Sequence, residues 1–305
     1  MFASRRALLA LLMSLAVIGC VAPGAEDGPD TSDQLHITVS VLPQAYFVEQ
    51  VGGKHVSVTV MVLPGQSPAT YEPTAEQMVA LSRADAYLSI GVPFENAWLD
   101  RIASANPDML MVDTSEGITR RSVEAHSHAS DQEEADRHDG EVAHPDPHIW
   151  LSPRLVKIQA DNIAAALIGL DPERADAYRQ NLAAFEAKLD ELDAEIREQL
   201  GGLENRKFMV FHPSWGYFAE DYGLEMYPIE VGGQEPSSAE LTQLVRAAKQ
   251  EGIRVVFAQP EFSTRSAEVI AEEIDGEVLL VSPLARDWAE NLRQVSETFG
   301  EVLRE

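Results

Sequence analysis

The sequence predicts an α/β fold of two lobes, each a mostly parallel sheet flanked by helices, joined by one long interlobe helix. Short β-type runs alternate with amphipathic stretches in two separate sets, and such alternation is typical of βαβ units in a parallel sheet. A long run of apolar residues at helical spacing lies between the two sets. The 305 residues also exceed what a single core usually serves, so two lobes are the expected number.

The first set lies in the expected N-terminal lobe, residues 35–170. Its β-type runs are 35–41, 56–62, 86–90 and 109–112, with helical patterns near 43–51, 74–83 and 95–105. The second set lies in the expected C-terminal lobe, residues 203–305. Its β-type runs are 207–211, 225–230, 253–258 and 277–281, with helical patterns near 214–222, 238–251 and 264–274. The chain is therefore expected to repeat one architecture.

The connector, residues 171–202, begins with Asp171-Pro172, a cap residue followed by proline at the first helical position. Apolar residues then recur at spacings of three and four up to Leu200, and Gly201-Gly202 ends the pattern. A single helix over this stretch would measure about 40 Å and span two lobes side by side. A coiled-coil dimer is the alternative, but barely four heptads without ordered charges favour a monomer.

The amino terminus has the pattern of an export signal. Arg5 and Arg6 precede an apolar run, and residues 1–19 are predicted to be removed. Val17 to Cys20 resemble the lipobox of bacterial lipoproteins, which implies lipidation at Cys20 and a tether over 20–34. We therefore expect an extracytoplasmic protein held at a bacterial membrane by its lipid. The single cysteine also excludes an internal disulfide framework and zinc sites of the Cys₄ or Cys₂His₂ type.

Charge and motifs narrow the function. Asp and Glu number 50 against 23 Lys and Arg, a net charge of −27, which disfavours nucleic acid and anionic lipid as partners and favours cations. The sequence has no Walker loop, GxGxxG, GxSxG or HExxH motif, so it gives an enzyme little support.

One segment, 119–147, departs from the alternating pattern. It is acidic and almost without apolar residues, which predicts a mobile loop. Together with the residue that follows, it contains five of the eight histidines: His126, His128, His138, His144 and His148. Such a tract suits an exchangeable collector of metal ions. A solvated insertion with chance histidines is an equal alternative.

Two histidines lie at the ends of predicted elements. His148 lies between Pro147 and Pro153, where proline keeps the preceding chain extended. His212 follows an apolar strand, and ligands bind at that carboxyl end of a parallel strand. With one histidine in each lobe, a metal ion could be held in the cleft between them.

Four motifs resemble the zinc- and manganese-binding solute-binding proteins of bacterial ABC importers. They are Pro64-Gly65 with Tyr71 to Thr74, the DPHIW run at 146–150, His212 with 216–218, and VGGQEP at 231–236. The resemblance extends over residues 36–304. It implies two α/β lobes joined by one long helix, His148 and His212 as metal ligands, and delivery of the metal to an ABC permease.

Two ligand positions depart from that family pattern. Ala69 stands where the family has a histidine, and Ser282 stands where it has an aspartate. Alanine cannot coordinate a metal, and serine is a poor ligand for zinc. Glu261, after a predicted strand, is the best-placed replacement, with Glu72, His144 or water as alternatives.

Two imidazoles favour Zn²⁺ over Mn²⁺ as the cargo. The sequence therefore predicts an extracytoplasmic receptor that captures zinc and passes it on. Two alternatives stay open: a receptor of the same fold with an altered ligand, because two usual ligands are missing, and a surface adhesin.

Overall fold

Two parallel four-stranded sheets form the framework of the computed structural model, which describes residues 34–122, 145–230 and 234–304. The N-terminal sheet consists of β1 (Leu35–Val39), β2 (Val56–Val60), β3 (Ala86–Ser89) and β4 (Leu110–Asp113), in the order β2-β1-β3-β4. The C-terminal sheet consists of β5 (Lys207–Val210), β6 (Glu225–Pro228), β7 (Val255–Ala258) and β8 (Glu277–Leu280), in the order β6-β5-β7-β8. The two orders are equivalent, which confirms the predicted repeat.

Helices connect and cover the strands. They are α1 (Leu42–Gly52), α2 (Ala75–Leu81), α3 (Pro93–Ala105), α4 (Pro153–Leu170), α5 (Ala175–Gln199), α6 (Gly216–Tyr222), α7 (Ser238–Glu251), α8 (Arg265–Glu273) and α9 (Trp288–Val302). The sequence analysis predicts most of these helices but assigns neither α4 nor α9. Within the described residues, none of these helices has both the length and the hydrophobicity that a membrane span requires.

The long helix α5 confirms the predicted connector between the two sheets. Its 25 residues extend about 37 Å. The helix packs against α1, α4 and α9. The α-helix begins at Ala175, later than predicted, because Pro172–Arg174 forms a 3₁₀ turn held by the carboxylate of Asp171, which accepts hydrogen bonds from Arg174 and Tyr178.

The main hydrophobic core is continuous across both sheets. Buried side chains of α4, α5 and α9 join it to β1, β3, β5 and β7. In its middle, the Phe47 ring lies 5.0 Å from Trp288 and 6.1 Å from Phe185, so residues from three helices pack together. A smaller core covers the other face of the C-terminal sheet under α7 and α8. The lobe boundaries predicted at 170 and 203 stay predictions.

Residues 1–33 and 123–144 lie outside the described part of the chain. The predicted signal segment, Cys20, most of the tether and the middle of the His-rich segment therefore stay predictions. The two ends of that segment are described, and Ser122 pairs with Pro145 in an isolated antiparallel bridge.

Candidate metal centre

His148 and His212, 64 residues apart in the chain, meet between the two sheets. His148 directly precedes the 3₁₀ turn Ile149–Leu151 that leads into α4, and His212 lies just beyond the carboxyl end of β5. Their Nε2 atoms are 3.4 Å apart, and their ring centroids are 5.2 Å apart. The structure thus brings together the two histidines that the sequence indicated.

The orientation of the His148 ring depends on Asp146. The Asp146 Oδ1 atom accepts a hydrogen bond from His148 Nδ1 at 2.7 Å and from the His148 backbone N–H at 2.9 Å. With the proton on Nδ1, the lone pair of Nε2 points toward His212. Burial lowers the pKa of His148 below its ordinary value, although Asp146 opposes this effect. The imidazole is therefore neutral and ready to coordinate at physiological pH.

The other ring, that of His212, is held in the same manner from the second lobe. Its Nδ1 lies 2.5 Å from Oε2 of Glu230, so its Nε2 also faces the gap. The side chain of Gln259 accepts from the His212 backbone N–H at 3.1 Å and donates to its carbonyl at 2.7 Å. Phe262 stacks on the ring at 4.8 Å between centroids. Backbone and ring are both fixed before any ligand arrives.

The spacing of the two Nε2 atoms suits a shared cation. Two nitrogens bound to one zinc ion at about 2.05 Å and at the tetrahedral angle lie about 3.3 Å apart. The observed 3.4 Å is close to that value, and it is longer than an ordinary N–H···N hydrogen bond. A carboxylate behind each coordinating imidazole is also the usual arrangement in metal sites, because it fixes the tautomer and raises ligand basicity.

Glu261, the third candidate ligand, has a different environment. It lines a cavity of about 620 Å³ between the lobes, beside Ser282. Its Oε1 accepts a weak hydrogen bond from Ser282 Oγ at 3.4 Å, and its Oε2 is buried without a partner in the described structure. Burial raises the pKa of this carboxyl group, which favours the neutral form, a poor metal ligand. Across the described ranges, no three His, Cys, Asp or Glu side chains are grouped closely enough to hold a metal.

The other positions from the sequence analysis lie apart from this pair or outside the described chain. Ala69 and Glu72 are exposed between β2 and α2. Ser282 follows β8 and lines the same cavity as Glu261. His144 and Cys20 belong to segments that the structure does not describe.

Sequence reasoning missed the two carboxylates that orient the histidines. Asp146 is part of the DPHIW motif, and Glu230 ends a β-type run, but neither residue has a predicted role of its own. The signal for Asp146 was local, because an aspartate two residues before a histidine can accept both its backbone N–H and its ring N–H. No local signal was present for Glu230, which lies 18 residues from His212.

The ends of the His-rich segment are attached to the C-terminal lobe close to His148. The Asp146 N–H donates to the Arg121 carbonyl at 2.8 Å. The buried Tyr217 hydroxyl, on α6, accepts from the Arg121 N–H and donates to the Asp146 carbonyl, both at 3.0 Å. The Arg121 side chain lies against Gly216, where a Cβ would come within 1.8 Å of its Nη1 atom. Tyr217 therefore fixes the chain that carries Asp146.

Replacing Tyr217 with phenylalanine is expected to weaken zinc binding several-fold, less than the roughly tenfold cost of losing a carboxylate that orients a ligand. The substitution leaves the Asp146 carbonyl without its donor, so the position of the carboxylate loosens. Titration of zinc against a competing indicator measures the change.

The matched control is Tyr222→Phe. Tyr222 is also buried on α6, but its hydroxyl donates to Asp193 at 3.0 Å, away from the histidines. Each substitution is expected to lower stability by about 1 kcal/mol. Equal zinc affinities in the two variants would show that Tyr217 contributes to stability alone.

Comparison with known proteins finds a family that matches most of the chain. The protein-family model described as "ZnuA: Zinc-uptake complex component A periplasmic" matches residues 37–304. The high-affinity zinc uptake system protein ZnuA of Bacillus subtilis is 28% identical over 279 residues, covering 88% of this chain and 85% of that protein. The zinc-binding lipoprotein AdcA of Streptococcus pneumoniae strain R6 is 28% identical over 91% of this chain, which spans 54% of AdcA.

A solved structure shows the same fold. The chain described as the crystal structure of ZnuA superposes with a TM-score of 0.81 at 46% sequence identity. The match covers 89% of this chain and all of the other one.

Proposed function

The chain belongs to the family of periplasmic zinc-uptake complex component A proteins, substrate-binding proteins for metal uptake and not enzymes, and from this membership we propose that it captures Zn²⁺ between His148 and His212. It then delivers the ion to an ABC permease. Manganese is the less suitable cargo, because two imidazoles favour a borderline-soft ion. The observation that carries the proposal is the 3.4 Å separation of the two Nε2 atoms, each on a ring oriented by a carboxylate.

The location follows from the same proposal. Cys20 is acylated after removal of residues 1–19, and the mature protein acts as a monomer at the outer face of a bacterial membrane. The motif around Cys20 supports this, as does the name of the related lipoprotein AdcA. Mass spectrometry of the membrane-extracted protein should show a chain that begins at Cys20 with added acyl mass.

Calorimetry and elemental analysis of the purified protein test the proposed cargo. A variant without residues 123–144 separates the central site from the histidines of the insert, and it keeps the bridge between Ser122 and Pro145. We expect one zinc ion per chain in this variant, with weaker binding of manganese. If the shortened protein took up no zinc, the histidine pair would not be the binding site.

Zinc affinity is expected to fall as the pH is lowered through the titration of His148. Only a neutral imidazole coordinates, so protons compete with the metal. Because burial lowers the pKa of His148, its contribution to the loss begins below the ordinary value of about 6.5. Calorimetry at pH values from about 7.5 down to about 5.5, which lie on both sides of that ordinary value, measures the dependence. Affinity that rose on acidification would contradict coordination by His148.

Of the two alternatives, the receptor with an altered ligand gains support from a specific feature, the large cavity beside Glu261 and Ser282. Only the fold supports the adhesin alternative.

A further inference from the structure

The cavity between the lobes is lined mainly by hydrocarbon. Its walls include Val58 and Val60 of β2, Leu63 in the loop after it, and Leu284 after β8. Among its lining residues, only Glu261, Ser282 and Arg286 carry polar side chains, and Arg286 already pairs with Glu49. At about 620 Å³, the cavity has the size of a small-molecule site.

The chain segment 259–262 connects this cavity with the histidine pair. Gln259 holds the backbone of His212, and Phe262 stacks on its ring. Between them, Glu261 lines the cavity. The two histidines do not line the cavity themselves, so a ligand has to extend past Glu261 to reach a metal bound by the two imidazoles.

In the described structure, His148 and His212 are the two protein ligands proposed for such a metal. Zinc takes four ligands, or three and an exchangeable water. Among the described residues, no group of three His, Cys, Asp or Glu side chains is arranged to hold a metal, since Asp146 and Glu230 contact the Nδ1 side of each ring. At least two coordination positions are therefore left for groups other than the described residues.

Water alone fits this environment poorly. An ordered water makes two to four hydrogen bonds, and the side chains of Val58, Val60 and Leu284 offer none. The buried Oε2 of Glu261 also has no hydrogen-bond partner in the described structure. The terminal torsion of a glutamate is broad, so a small rotation turns either oxygen toward the cavity.

We infer that the zinc is bound as a chelate with a small organic acid, whose apolar body occupies this cavity while its carboxylate and a second donor complete the coordination of the ion. The inference rests on the proposed function, since it takes His148 and His212 as the protein's ligands. The hydroxyl of Ser282 is placed to donate a hydrogen bond to the carboxylate, and the unpartnered Oε2 of Glu261 to accept one from the N–H or O–H of the second group. The ligand class is therefore an α-amino or α-hydroxy acid with an aliphatic side chain.

L-Leucine serves as the probe, because it chelates zinc through its amine and carboxylate and carries an aliphatic side chain. Zinc binding is measured at a buffered free-zinc concentration, with and without leucine. We expect leucine to tighten zinc binding about tenfold, and zinc to tighten leucine binding by the same factor, as linkage between two ligands requires. Native mass spectrometry should show protein, zinc and leucine in one complex.

Two substitutions localise the effect. Val60→Phe fills the cavity, and its matched control Val269→Phe makes the same change on the exposed surface of α8. We expect Val60→Phe to abolish the leucine effect and to leave binding of zinc alone unchanged. Glu261→Ala, which leaves the cavity volume free, is expected to abolish the leucine effect as well. The variant without residues 123–144 should keep the full effect.

The outcomes separate the two proposals. If zinc alone binds but leucine leaves its affinity unchanged at fixed free zinc, the chelate is wrong and the histidine site stands. A leucine effect that survives both Val60→Phe and Glu261→Ala, or that vanishes without residues 123–144, also overturns the inference. If zinc alone does not bind, the proposed function itself fails.

Discussion

Replacing either His148 or His212 with alanine is expected to weaken zinc binding by roughly a hundredfold. Zinc sites with four protein ligands have apparent binding free energies of about 10–16 kcal/mol, or about 3 kcal/mol per ligand. A loss of that size corresponds to roughly a hundredfold in the dissociation constant. Here the pair has no described substitute, because no group of three ligand-type side chains is arranged to hold a metal in the residues that the structure describes.

Calorimetry with the two single variants and the double variant measures the loss. His36→Ala is the control, since His36 is an exposed histidine on β1 whose contact is a backbone hydrogen bond to Asp85. The thermal shift that zinc causes should shrink in parallel, because a ligand stabilises the folded state by RT ln(1 + [L]/Kd). Wild-type zinc affinity in both single variants would refute the metal centre and favour a receptor for another ligand.

The fold was predictable because its signals are local. Strands such as Leu35–Val39 and Val255–Ala258 are short apolar runs, and the helix α5 carries its buried residues at helical spacing. Parallel pairing follows when such strands alternate with helices. The pattern alone did not give the order of the strands within each sheet, which the structure shows to be equivalent in the two sheets.

The unassigned helix α9 is a different case. Trp288, Leu292, Val295 and Phe299 recur at spacings of four and three and are all buried, so the helical pattern was present in the sequence. Its role was not readable, because the partner surface on α5 comes from a distant part of the chain. The Phe299 ring, stacked 4.1 Å from Phe257, shows how α9 seals the C-terminal sheet.

The candidate site was predictable only in part. His148 and His212 stood out because each lies at the end of an element, but their separation of 3.4 Å depends on packing of the two lobes. Glu230 could not be assigned a role, since its contact with His212 arises from the parallel pairing of β5 with β6. Glu261 stays a predicted ligand, although burial raises the pKa of its carboxyl group and so disfavours the carboxylate form that coordinates a metal.

Replacing Ser282 with aspartate is expected to tighten zinc binding by roughly ten- to a hundredfold. Side chains around a bound metal change its affinity by about this factor. The position is where the family resemblance expects a carboxylate, and it lines the cavity beside Glu261. The backbone there is fixed, because Asn291 donates to the Ser282 carbonyl at 2.8 Å. Burial raises the pKa of Glu261, which favours its neutral form and lessens the repulsion between the two acidic groups.

Ser282→Asn is the matched control for this gain, because it has the same shape without the charge, and zinc prefers a carboxylate oxygen. Competition titration against a zinc indicator should show tightening in the aspartate variant alone. The leucine effect should shrink in the same variant, since the introduced carboxylate occupies a coordination position that the chelate would fill. Equal affinities for the aspartate, asparagine and wild-type proteins would mean that position 282 lies beyond reach of the metal. The imidazole pair would then depend entirely on ligands from outside the described chain.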